Sequence, residues 1–225
     1  MIPIKDSTRT RTFPVINTTL ILTNIFVFIW MLTLSQAEAV ETAYSLGLIP
    51  ARFNAFLTEG RLLSALSPVI TYQFLHGGWF HLISNMLYLW VFGDNVEDNL
   101  GHIPYLIFYL LVGGIAGLAQ FYFNPLSTVP IVGASGAVAG ILGAYLLICP
   151  NARVLTIIPI FFFITMAEIR AVFFLLFWFF LQLFNGLASI GIESVAVAWW
   201  AHIGGFLAGV ILVKLFIRRA VCEER

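Results

Sequence analysis

Long uncharged apolar runs alternate with short polar segments along the chain, and the run lengths predict membrane-crossing helices. Residues 15–35 carry no charge over 21 positions, close to the ~20 needed to span a bilayer. A second run, 79–92, follows the Gly77-Gly78 turn and ends at the acidic Asp94-Asn95-Val96-Glu97-Asp98. Residues 103–123 predict a third span, 135–149 a short glycine-rich fourth and 171–187 a phenylalanine-dominated fifth. A sixth, 198–217, carries Trp199 and Trp200 as interfacial anchors. The segment 36–75 is mixed and predicts a long connection. Residues 153–170 bracket an apolar stretch with Pro159 and Glu168 and predict a surface-lying turn. The expected fold is all-α and polytopic: a tail over 1–14, a six-transmembrane-helix bundle over 15–217 and a tail over 218–225.

Composition supports lipid over water. The chain is 60% hydrophobic and only 10% charged, against about 25% charged in soluble domains. Its formal net charge of zero gives no electrostatic case for nucleic acid. An even number of spans places both termini on one side. With that side cytoplasmic, nine of the eleven Lys and Arg lie inside and only Arg52 and Arg61 outside, which predicts N-in, C-in insertion in a cell (inner) membrane. Ala37-Glu38-Ala39 imitates a signal-peptide cleavage site, but the run before it exceeds the usual ~7–15 apolar residues. Cys149 and Cys222 show neither metal spacing nor a disulfide framework. Both fall on the face read as cytoplasmic, where disulfides are rare.

Helices two, four and six all run inward from the outer surface, so their first turns share one depth. The intramembrane polar residues gather there: His76, His81 and Asn85 at the start of the second, Ser135 opening the fourth, His202 one turn into the sixth. Burying such groups in lipid is costly, which makes them functional candidates. Small residues recur every fourth position in the fourth helix (Gly136, Gly140, Ala144) and the sixth (Ala201, Gly205, Gly209). Such rows allow close backbone approach, and Gly205 and Gly209 share a face with His202. The approach brings the Ser135 hydroxyl within reach of His202, an alcohol beside a base. His81 and Asn85, four residues apart on one face, are candidate oxyanion donors beside the helix N-terminus at Ser135.

These motifs resemble the rhomboid family of intramembrane serine proteases. The matching residues are His76-Gly77-Gly78-Trp79-Phe80-His81 with Asn85, Gly133-Ala134-Ser135-Gly136, and Ala201-His202-Ile203-Gly204-Gly205-Phe206 with Gly209. The resemblance implies Ser135 as nucleophile, His202 as general base and His81 with Asn85 as the oxyanion hole. His76 then holds the outer loop, and Gly133 and Gly136 support the site. Implied partners are single-pass membrane substrates, cut near the outer end of their span, and the lipid bilayer; no metal or cofactor is implied, and no oligomeric state is assigned. The chain departs from the family in lacking a Trp-Arg pair in the first outer loop. It also carries Ala139 where many members place a tyrosine against the catalytic histidine.

Rival readings are weaker. A metalloprotease needs ligands such as H-E-x-x-H, and no Glu follows a His here. A channel or transporter needs polar residues through the full depth, whereas these stop in the outer half. An inactive rhomboid-like binder of membrane clients typically lacks the Ser or the His. Asp94, Glu97 and Asp98 lie too deep and Glu168 on the cytoplasmic connection to complete a triad; Glu193 is the nearest contender, and the sequence does not place Glu38, Glu41 and Glu59 of the first outer loop. The expectation is a dyad with His202 oriented by packing alone. The phenylalanines of the fifth span read as lipid-facing bulk, with a movable gate as the alternative.

Overall fold

The computed structural model describes residues 1–160, 163–190, 197–219 and 222–224. Strands β1 (Ile2–Asp6) and β2 (Thr8–Arg9) precede helix α1 (Val15–Leu32). The mixed connection folds into three short helices, α2 (Gln36–Leu46), α3 (Pro50–Thr58) and α4 (Leu62–Thr71). Then come α5 (Trp79–Leu100), α6 (His102–Phe123), α7 (Ser135–Ile148), β3 (Arg153–Ile160), β4 (Phe163–Arg170), α8 (Ala171–Ala188), α9 (Trp199–Phe216) and β5 (Glu223–Glu224).

Among the described residues, four helices are long and apolar enough to cross a membrane: α1, α6, α8 and α9. The six expected segments are all helical, but two fall short of that standard for physical reasons. The last turns of α5 carry Asp94, Glu97 and Asp98. Helix α7 has 14 residues, about 21 Å of rise against a hydrocarbon core of about 30 Å. It lies at the centre of the bundle, buried from Gly136 to Tyr145.

The all-α expectation needs correction at the face that carries the chain termini. Strands β3 and β4 pair antiparallel where the sequence predicts a surface-lying turn, and β1 adds to them in the order β1-β3-β4. Arg153 pairs with Arg170 and Ile157 with Met166, while Ile2 of β1 faces Ile157. Val154, Thr156, Ile157, Ile158, Ile164, Thr165 and Ile169 are β-branched, which suits a pleated surface better than a helix. Pro159 sits beyond the reach of β1, where its missing N–H leaves no central ladder bond unmade. Apolarity alone does not separate such a run from a helix.

The acidic end of α5 caps α1. Pro14 provides no side-chain cap for that helix. Instead the buried Glu97 carboxylate accepts the backbone N–H groups of Ile16 (2.9 Å) and Asn17 (2.7 Å) and lies 2.5 Å from His102 Nδ1. Asp98 accepts from Thr12 N–H, Thr12 Oγ1 and Arg11 Nε. Asp6 binds the Tyr145 hydroxyl (2.5 Å) and Asn95 Nδ2 (3.0 Å). Glu97→Ala removes two charge-assisted caps and is expected to cost about 2–4 kcal/mol, read by thermal unfolding in detergent. Turnover of the folded protein should stay within a few-fold, because Glu97 lies sixteen residues past His81, about 24 Å along α5.

Cys149 and Cys222, read from sequence as unpaired, form a disulfide with Cα atoms 5.4 Å apart. Cys149 ends α7 and Cys222 follows α9, and these two helices run parallel, so their ends meet on one face. Their contact is between backbones. A Cβ on Gly205 would lie 2.2 Å from the Gly136 carbonyl oxygen, and one on Gly209 would lie 2.0 Å from that of Gly140. The small-residue rows therefore set the distance between the helices bearing Ser135 and His202.

Candidate active site

Helix α7 begins at Ser135, with no side-chain cap on its first turn. Its free N–H groups leave a positive end facing the cavity. The approach is fixed by Gly133, whose φ of 124° is a left-handed value that favours glycine. Its N–H donates to the Tyr72 carbonyl at 2.9 Å, and a Cβ there would lie 2.5 Å from His81 Nε2. Gly136, one residue past Ser135, lends its carbonyl to the contact with Gly205. Across that contact, Ser135 Oγ lies 2.9 Å from His202 Nε2. The first turn of α9 is tied to α6 by the Ala201 N–H, which donates to Gln120 Oε1 at 3.2 Å. The other imidazole nitrogen, His202 Nδ1, is 2.8 Å from Gln182 Oε1 on α8.

On the opposite side stand His81 and Asn85. Asn85 is buried and its Nδ2 lies 3.1 Å from His76 Nε2. Burial, with His81 beside it, holds the His76 imidazole down to about 3. His76 is thus neutral at physiological pH, and its Nε2 accepts one Asn85 hydrogen, leaving the second for another acceptor. The His76 and His81 rings meet edge to face at 5.0 Å. Ser135, His202, His81 and Asn85 line a cavity of about 750 Å³ that also touches Trp79, Phe80, Ser84, Gln120 and the 129–132 loop, and Gln182 adjoins it through His202. A hydroxyl, an imidazole and a side-chain amide donor therefore converge on one space, an arrangement chemically able to perform acyl transfer.

A family model described as the Rhomboid domain matches residues 64–219, well over half of the chain. The chain belongs to the rhomboid family. This rhomboid protein is 36% identical to the Rhomboid protease GluP of Bacillus subtilis over 113 residues, 50% of the chain and 20% of that protein. It is 31% identical to Rhomboid-like protein 11, chloroplastic, of Arabidopsis thaliana over 152 residues, 65% of the chain and 51% of the relative. It is 28% identical to the human Presenilin-associated rhomboid-like protein, mitochondrial, over 153 residues, 64% of the chain and 36% of the relative. The chain thus spans between about a fifth and a half of the length of these relatives.

In this rhomboid chain the expectation that packing alone orients His202 is corrected by Gln182. Packing contributes as well: Trp178 and Trp199 each stand 6.0 Å from the imidazole, tilted and edge-on respectively. Ala139, in the tyrosine position of many relatives, is fully buried, and it is Trp178 of α8 that faces the ring. Glu193, the nearest acidic contender, lies outside the described residues. Gln182 had one sequence signal, an amide inside the apolar run 171–187, where an unpaired polar group is expensive. Phe173, Phe177, Phe180 and Phe184 on the same helix are exposed, the pattern of lipid-facing bulk.

Proposed function

We propose that this rhomboid chain is a serine endopeptidase that cleaves single-pass transmembrane proteins near the outer end of their span. The observation that carries the reading is the 2.9 Å contact between Ser135 Oγ and His202 Nε2 at an open cavity. Ser135 attacks the scissile carbonyl as His202 takes its proton, and His202 returns that proton to the leaving amine. Water then hydrolyses the acyl-enzyme by the same base. Asn85, His81 and the first turn of α7 stabilise the oxyanion. No carboxylate and no metal takes part.

The proposed frame is six spans, α1 and α5 to α9, with both termini cytoplasmic in a cell membrane. The distribution of Lys and Arg supports that orientation. The Cys149–Cys222 disulfide on the same face runs against it, because a reducing cytoplasm opposes the bridge. Thiol labelling of Cys149 and Cys222 from each side of sealed vesicles, after mild reduction, decides the orientation.

A fluorophosphonate should label the detergent-solubilised protein at Ser135, located by peptide mapping. An inactive client-binding rhomboid would leave Ser135 unmodified. Asn85→Ala should lower kcat by about 10²-fold without abolishing it, the scale of one oxyanion donor. His81→Ala should act in the same direction. A double variant with unchanged turnover would make both residues structural.

A further inference from the structure

We propose that Gln182 is a positioning residue that holds His202 in the tautomer able to accept the Ser135 proton, an inference that rests on the serine-protease reading. Three observations combine. Gln182 is buried at 8% exposure on α8, although most of that helix faces outward. Its Oε1 lies 2.8 Å from His202 Nδ1. Its Nε2 lies 3.4 Å from the Trp178 carbonyl oxygen of its own helix.

The last contact fixes the chemistry of the first. A carbonyl oxygen only accepts, so the amide NH₂ must face Trp178 and the amide oxygen must face His202. An amide oxygen in turn requires a hydrogen on Nδ1. A neutral imidazole carries one hydrogen, so Nε2 presents its lone pair to Ser135 Oγ, as general-base catalysis demands. The flipped amide would set its NH₂ against Nδ1, move the imidazole hydrogen to Nε2 and leave Ser135 facing a donor. Gln182 thus does for His202 what an acid does in a triad, selecting tautomer and ring orientation, but without a charge. In a low-dielectric bundle an amide avoids the desolvation cost of a carboxylate. The titratable group facing His202 from another element is His81 on α5. The facing groups on α7, α8 and α6 are the Ser135 hydroxyl, the Gln182 amide and Trp178, and the Gln120 amide, none of which titrates near neutral pH. Among the described residues, no Asp, Glu, Lys or Arg lines the cavity.

The test compares wild type, Gln182→Met and Gln182→Glu in one detergent, using a fluorogenic single-pass transmembrane peptide and recording kcat, KM and the pH profile. Met fills the same space and offers only a weakly accepting thioether. Its kcat should fall by about 10–100-fold with KM unchanged, the scale seen when a metal-bound histidine loses its outer hydrogen-bond partner. Glu restores the acceptor and should recover most of the activity. Its carboxylate also stabilises the imidazolium, so the acidic limb should move up by about one pH unit. A Gln182→Met protein within about two-fold of wild type would overturn the proposal, since packing would then suffice. So would a Gln182→Glu protein as impaired as Gln182→Met. Ser135→Ala, run in parallel, separates the two levels. If it cleaves like wild type the serine-protease reading fails; if it is dead while Gln182→Met is fully active, only the positioning role fails.

Discussion

Ser135→Ala and His202→Ala should each reduce cleavage of a single-pass transmembrane substrate by about 10⁵–10⁶-fold, because nucleophile and base act as one unit. The expectation follows from the contact between them and from what remains when either is lost. Without Ser135 the His202 base has no hydroxyl partner among the described residues to activate. Without His202 the serine hydroxyl keeps its proton, and it is a weak nucleophile in that state. The double variant should be no slower than either single one. Residual turnover over water should come from the oxyanion donors and substrate binding alone. Neither change should lower thermal stability much, since both side chains are only partly buried at the cavity. Initial rates in proteoliposomes, with unfolding followed in parallel, check both halves. A folded Ser135→Ala protein with near-wild-type turnover would end the serine-protease reading.

Much of this site was legible in the sequence because depth in a membrane helix follows from residue count. The rise per residue is fixed, so His81, Asn85, Ser135 and His202 could be assigned to one level before any contact was known. Small-residue periodicity then said which helices approach, and the Gly205 and Gly209 contacts follow that pattern. Contacts between elements were illegible where no periodicity encodes them. Gln182 meets His202 across 20 residues, and Cys149 meets Cys222 across 73. Strands β3 and β4 are not legible because an apolar run of that length suits strand or helix, and the pairing of β3 with β1 joins residues some 150 positions apart. In the sequence the acidic end of α5 marks only where the apolar run stops. Its positive role, capping α1, depends on where a distant helix starts.

The same logic gives a large effect at a residue that touches no reacting atom. Gly209→Ala should lower kcat by at least about 10²-fold and destabilise the protein by about 3 kcal/mol or more. Gly209 lies seven residues beyond His202, about 10 Å deeper along α9. An added Cβ would stand 2.0 Å from the Gly140 carbonyl oxygen and 2.7 Å from its carbon. Those are backbone atoms of a buried helix, so no rotamer change relieves the overlap. Helices α7 and α9 must separate by roughly 1.5 Å to reach ordinary van der Waals contact. That movement is of the order at which misplacing catalytic groups costs about 10²-fold, and it opens the Ser135–His202 contact. It also weakens the packing that drives helix association in lipid, where no hydrophobic effect compensates. Leu207→Ala, on the exposed side of the same helix, should leave kcat within about two-fold and stability within about 1 kcal/mol. If Gly209→Ala matched Leu207→Ala in both measurements, backbone contact between α7 and α9 would not be what sets the geometry of the dyad.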